Sequence, residues 1–201
     1  AAARADWTPP ATLTAVLVPS ARTRDPVAVL GASVLSVPGE LVDVEEHDVL
    51  LVPDVRRTAL LRDLRSRPAV VGPTRRWASA SVSFQRAVRT LALLPPGEGP
   101  VDTDDHLALL VLSADPVALA DLRAQALAPL SGLRPGTADR LAETLRSWLL
   151  HHGRREDVAA DLHVHAQTVR YRMTQIRDLY GDQLTSPDAV LRLTVALAVT
   201  R

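Results

Sequence analysis

The chain has 201 residues, 47% of them hydrophobic, with 23 arginines against 23 acids, no lysine and no cysteine. That composition excludes a disordered chain and leaves mass for one large domain or two small ones. Without cysteine there is no disulfide scaffold, thiol nucleophile or Cys-based zinc site. No apolar run reaches the roughly 18–20 residues of a membrane helix, so no membrane partner is expected.

The opening AAARADWTPP has neither an initiator Met nor an apolar signal core and reads as the start of a fragment. Leu13–Val18 then reads as a buried strand, stopped by Pro19, and Val27–Leu35 as a short helix. Leu41–Val44 and Val49–Val52 read as two strands joined by an acidic segment. Pro53 and Asp54 open a helix over Val55–Arg67, with Leu60, Leu61 and Leu64 on one face, and Pro68 ends it. Ala69–Val71 gives another strand. A second helix, Ala78–Leu94, carries Val82, Ala87, Val88, Leu91 and Leu94 near a 3.6 period. PPGEGP at 95–100 reads as a linker and Leu107–Leu112 as a last strand. This alternation argues for a small α/β sandwich with helices on a sheet.

After Ala114 the texture is helical. Asp115 and Pro116 open a helix to Leu127, and SGLRPG at 131–136 is turn-rich. Thr137 is placed to cap a helix running to His152, with Leu141, Leu145, Trp148 and Leu149 on its buried face. Gly153 stops it. Helices over Glu156–Leu162, Ala166–Tyr180 and Pro187–Thr200 follow, with Gly181 ending the second and Ser186–Pro187 starting the third.

Two helices joined by a three-residue turn, the second long, have the shape of a helix-turn-helix. Val158, Ala159 and Leu162 pack from the first helix, Val164 plugs the turn, and Val169, Met173 and Ile176 form the inward stripe of the second. The opposite face carries Gln167, Arg170, Tyr171 and Thr174: an amide suited to adenine, a guanidinium suited to guanine or phosphate, and two hydroxyls. Arg172 and Arg177 flank it, placed for the two phosphate walls, and the window 163–177 contains no acid. Total charge gives no general pull towards DNA, with fourteen arginines against fifteen acids before Thr137 and nine against eight from it onward. Periodicity by itself equally fits a solvated helix face in an arginine-rich protein.

The strings TLRSWL at 144–149, LHVH at 162–165, TVRYRM at 168–173, Ile176, Gly181 and LRLTVALA at 191–198 make Leu141–Val199 resemble the C-terminal helix-turn-helix of the PucR/CdaR family of bacterial transcription regulators. The resemblance implies a sequence-specific DNA-binding regulator whose partners are a double-stranded operator and a second copy of the chain. His165, Gln167, Thr168, Arg170, Tyr171, Arg172, Thr174 and Arg177 would be its DNA-binding residues. Three positions depart from the family pattern. Ala166 and Gln167 stand where Arg and Asn are usual, and His152–Gly153 replaces a double glycine. In that family a degenerate GGDEF-like domain often precedes the helix-turn-helix. The β/α order of 11–112 is similar to it, and QALAPL at 125–130 resembles the connector. The fold class is therefore α+β/α: a small GGDEF-like, ferredoxin-like sandwich at 11–114, a helical connector at 115–136 and an all-α helix-turn-helix domain at 137–201. No GG(D/E)EF string exists in the chain. The resemblance further implies a cytoplasmic protein, not an enzyme, without cofactor or metal. A small-molecule effector is a possible partner, but its binding residues are unassigned. A cyclase-like enzyme, and an effector- or partner-binding module with vestigial DNA contact, are the competing readings.

Other groups are weighed alongside. His151, His152, His163 and His165 invite a metal, although His163 and His165 also suit capping of the second helix through Nδ1 or a phosphate contact. Asp102, Asp104 and Asp105 suit either a magnesium site or a solvated loop. GEGP is too short for a phosphate loop, and no GxSxG elbow occurs. Trp7, Trp77 and Trp148 are expected in core or interface.

Overall fold

A computed structural model describes residues 9–31 and 33–198; Trp7 and the end of the last helix beyond Ala198 lie outside the described residues. The chain divides into two compact units between Leu110 and Val111. The first is built on β1 (Thr12–Pro19), whose six inner residues are all buried. β3 (His47–Pro53) runs antiparallel to it, with Leu13 opposite Pro53 and Pro19 opposite His47. β4 (Ala69–Val71) is antiparallel on its other side. β2 (Leu35–Val37) adds antiparallel to β3, β5 (Arg75–Arg76) pairs the start of β1, and β6 (Pro100–Asp102) lies parallel to β4. The sheet order is β2-β3-β1-β4-β6.

Side-chain alternation divides the core. Val16, Val18, Leu50, Val52, Ala69 and Val71 meet Val27 and Leu30 of α1 (Arg24–Leu30), Leu60 of α2 (Arg57–Asp63) and Leu64 just after it. Ala15, Leu17, Val49 and Val70 meet Phe84, Ala87, Val88 and Leu91 of α3 (Ala80–Leu93). Helices thus cover both faces, which is why β1 is apolar at nearly every position. Ser83 reaches in from α3 to accept a hydrogen bond from the Ala15 amide at 2.9 Å.

Several elements differ from sequence expectation. Leu107–Leu112 forms α4, not a strand. A six-residue apolar run has no decisive period, and the 3₁₀ turn Thr103–His106, capped by Asp102, feeds it into a helix. Leu41–Val44 is not a strand either: Gly39–Val42 is a 3₁₀ turn and Asp43 follows in the left-handed region at φ 56°. Asp48 fixes this corner, accepting from Thr23 Oγ1 at 2.6 Å, Ser20 Oγ at 2.9 Å and the Gly39 amide at 3.2 Å. The helix expected over Val27–Leu35 ends instead at Leu30, because Gly31 turns at φ 94°, and residues 35–37 form β2. The Val55–Arg67 helix shortens to α2.

Asp102 belongs to neither a solvated loop nor an open cation site. Arg57 donates to both of its carboxylate oxygens and, from Nη1, to the Gly72 carbonyl at 2.8 Å. Arg86 pairs with Asp104 at 2.9 Å. Burial raises the Asp102 pKa, but the Arg57 hydrogen bonds, the Asp104 amide and the Arg57 charge outweigh it, so its carboxyl sits below the ordinary range. Among the described residues no group of three or more acids or histidines converges as a metal site.

The second unit contains α5 (Pro116–Leu127), α6 (Pro135–Leu150), α7 (Arg155–Asp161), α8 (Ala166–Tyr180) and α9 (Pro187–Ala198). Asp115 caps α5 as expected, accepting from the Val117 and Ala118 amides. Thr137 does not cap α6. Pro135 takes its first position and Arg134 precedes it, because proline's fixed φ and missing N–H suit that place. Leu130, Leu141, Leu145, Val158, Val169, Met173, Ile176, Tyr180, Leu193 and Leu197 are all buried in one core. No helix among the described residues is long and apolar enough to cross a membrane.

Candidate nucleic-acid interface

The link between α7 and α8 is set by backbone geometry. The Val164 amide donates to the Ala159 carbonyl at 3.0 Å and the His163 amide to Ala160 at 3.2 Å, while His163 adopts φ 51°. This is a Schellman ending. It carries Val164 back onto the core beside Ala159, whose small side chain allows the approach. The same ending closes α6: Gly153 donates to Trp148 at 2.9 Å, His152 to Leu149 at 3.3 Å, and His152 sits at φ 51°. Two left-handed histidines therefore turn the chain into and out of α7.

On α8 the stripe Val169, Met173 and Ile176 is at most 1% exposed, and Tyr180 extends it at 2%. Tyr180 was not singled out from sequence, although it lies four residues beyond Ile176. Its hydroxyl donates to the Ala126 carbonyl at 2.9 Å, and burial pushes the phenol up to about 12. Gln167, Arg170, Tyr171 and Thr174 are all exposed on the other face, Tyr171 at 64%. Gln175 Nε2 donates to the Tyr171 hydroxyl at 3.2 Å. Thr168 is half-buried, and His165 is exposed immediately before the helix. The His165 ring does not cap α8 as the sequence allowed.

Arg172 and Arg177 are held differently from the rest. Arg172 Nη1 donates to Thr144 Oγ1 at 3.2 Å, and the Arg177 guanidinium lies 5.4 Å from the centroid of the Trp148 ring. Both reach α6, one through a hydrogen bond and one through a cation–π contact. Thr144 and Trp148 are spaced four apart on that helix. This buttress was invisible in the sequence because it joins residues about 28 positions apart. Of the tryptophans within the described residues, Trp148 is half-buried and Trp77 is 43% exposed.

A second tie joins α6 to α7. Buried Ser147 donates to Asp161 Oδ2 at 2.6 Å, and His151 Nε2 approaches the same oxygen at 3.6 Å. The Ser147 hydroxyl holds the Asp161 carboxyl below its ordinary range against a burial effect, with His151 and Arg146 adding to the lowering.

A short helix, a tight turn and a buttressed second helix with an exposed polar face define a helix-turn-helix domain. Residues 141–199 match the family profile of the PucR C-terminal helix-turn-helix domain. The chain is 34% identical to an uncharacterized protein in the pkwA 5′ region of Thermomonospora curvata, the aligned region covering 51% of this chain and 68% of that one. It is 33% identical to an uncharacterized protein of Mycobacterium tuberculosis over 70% of this chain, but spans only 34% of that longer protein. The crystal structure of a regulator of polyketide synthase expression from Bifidobacterium adolescentis superposes with a TM-score of 0.41 at 23% identity, over 96% of this chain and 81% of that one. The chain belongs to the PucR family.

Proposed function

We propose that the chain binds double-stranded DNA sequence-specifically, inserting the N-terminal half of α8 into the major groove. The exposed face of Gln167, Arg170, Tyr171 and Thr174, directly opposite a buried stripe, carries this reading. Arg170 offers a guanidinium to guanine or phosphate and Gln167 an amide to adenine. Tyr171, Thr174, Thr168 and His165 supply further hydrogen-bonding groups for the backbone or for a thymine methyl. Arg172 and Arg177 act chiefly by holding α8 against α6, with Arg177 exposed enough to reach a phosphate as well.

One such helix reads only a few base pairs, so a homodimer on half-sites about 34 Å apart is the fitting assembly. The first unit serves as sensor, dimerisation surface or spacer. Its β2-β3-β1-β4 order, antiparallel throughout with α1 and α2 packed on the same face, supports a ferredoxin-like and GGDEF-like assignment for 11–114. Residues 115–136 are then the connector and 137–201 the DNA-binding domain, in a regulator working in the bacterial cytoplasm. Catalysis forms no part of this reading.

The test is fluorescence anisotropy with a randomised duplex pool, sequencing the bound fraction. Enrichment of a two-fold site is expected. Arg170→Ala should cost roughly 1–3 kcal/mol on that site. Undiminished binding by the variant would reject the assigned face.

A further inference from the structure

The first unit contains an open cavity of about 730 Å³ at one end of its sheet, remote in sequence from the helix-turn-helix. It lies where β1 ends and where β4 and β6 begin, within the size range of small-molecule sites. Three proline rings, Pro19, Pro68 and Pro96, give it apolar walls. Arg22, in the turn leaving β1, and Arg65, just past α2, are two arginines of its lining, with Ser66 beside them.

The remaining wall is the segment Gly97-Glu98-Gly99. Gly97 has nothing within 4 Å of where a Cβ would stand, so the cavity remains open there. Gly99 is packed closely against α2's end, its would-be Cβ 3.2 Å from the Arg65 carbonyl. Glu98 is therefore the side chain that this wall presents. Among the described residues neither the guanidinium of Arg22 or Arg65 nor the amides at 97–99 have a hydrogen-bond partner. By contrast, the arginines at the opposite end of the sheet, Arg57 and Arg86, are occupied by Asp102 and Asp104.

We propose that this cavity binds a small anionic metabolite, its phosphate or carboxylate groups held between Arg22 and Arg65. Guanidinium forks match both oxyanions and form the stronger, charge-assisted kind of hydrogen bond. Glu98, on the same lining, offsets part of the attraction of the two arginines and can accept from a ligand N–H or O–H. The site is independent of whether α8 reads DNA and would make the first unit the ligand-responsive part of the chain.

Isothermal titration of the full chain with inorganic pyrophosphate and, separately, with citrate at fixed ionic strength tests this. Saturable binding of either is expected, weakened at least about tenfold by Arg22→Ala and by Arg65→Ala. Arg89→Ala removes an exposed arginine of α3 that is not part of the cavity lining and should leave affinity unchanged. Glu98→Gln should tighten binding. Preference for pyrophosphate would assign a phosphate ligand and preference for citrate a carboxylate. Absence of saturable binding by both probes, or equal loss in the Arg89 variant, would overturn the proposal.

Discussion

His152 and His163 occupy left-handed backbone at φ 51° each, a conformation that costs a residue with a Cβ about 1–2 kcal/mol. His152→Gly should therefore stabilise the helical unit by about 1 kcal/mol, raising its thermal midpoint by roughly 4–8 °C. A lowered midpoint would show that the imidazole contributes more than the strain removes. Gly153→Ala should act in the opposite direction. It would place a Cβ at φ 76° and 3.1 Å from Trp148 Cζ2, disturbing the ring on which Arg177 rests. The departure from a double glycine was legible in sequence, but not that its first member must be left-handed, since φ follows from how α6 closes. Asp161 and Asp102 give the pH dependence. Both carboxyls are depressed in the folded state, so their contribution is complete above the ordinary value of 3.8 and is lost as pH falls through their folded values. Ser147→Ala should raise the Asp161 pKa, read from its side-chain carboxyl shift by NMR; an unmoved titration would refute the role given to the Ser147 hydroxyl.

At the scale of elements, α8 is fixed from three directions: its stripe enters the core, Arg172 and Arg177 meet α6, and Tyr180 meets α5. Tyr180→Phe removes one hydrogen bond and leaves the Ala126 carbonyl without its donor. It should cost about 1–2 kcal/mol, measured by urea unfolding, and loosen α5 before α8 in hydrogen exchange. Equal exchange in both helices would deny Tyr180 that linking role. α8 was legible down to its end residues, because a 15-residue helix with a clear apolar stripe and a terminal glycine leaves little choice. α4 was not, since Leu, Ala and Val in a run of six satisfy strand and helix alike. The short strands β2, β5 and β6 gave no signal of their own. Two or three residues become a strand only when a neighbouring edge supplies partners, as β4 does for β6.

For the molecule as a whole, the two units have separate cores, and a change confined to one should be felt there first. Arg57→Met would leave Asp102, 13% exposed, without its counterion. The expected cost is about 2–3 kcal/mol, below that of a fully buried pair because solvent still reaches both groups. Hydrogen exchange should report it in β1 and β4 while α8 keeps its protection; uniform loss through both units would contradict separate cores. DNA binding should weaken with salt, log K falling against log salt with a slope near −5 if a dimer engages about six phosphates. A flat dependence would point away from a phosphate-anchored complex.

The sequence by itself determined the helical half, its helix-turn-helix spacing and the family to which it belongs, because long amphipathic periods and a specific string of residues are local properties. It also placed β1, β3 and β4, whose apolar runs are bounded by proline or polar turns. The tertiary structure alone decided which polar side chains of α8 are free and which are committed. Arg172 and Arg177 look like Arg170 in sequence, and only Thr144 and Trp148, brought close by the fold, distinguish them. The same holds for the acids near Asp102, which two distant arginines neutralise, and for Arg22 and Arg65, which strand ends far apart in the chain bring to one cavity. Charge and hydrogen bonding act through space, so their partners become visible only once the chain has folded.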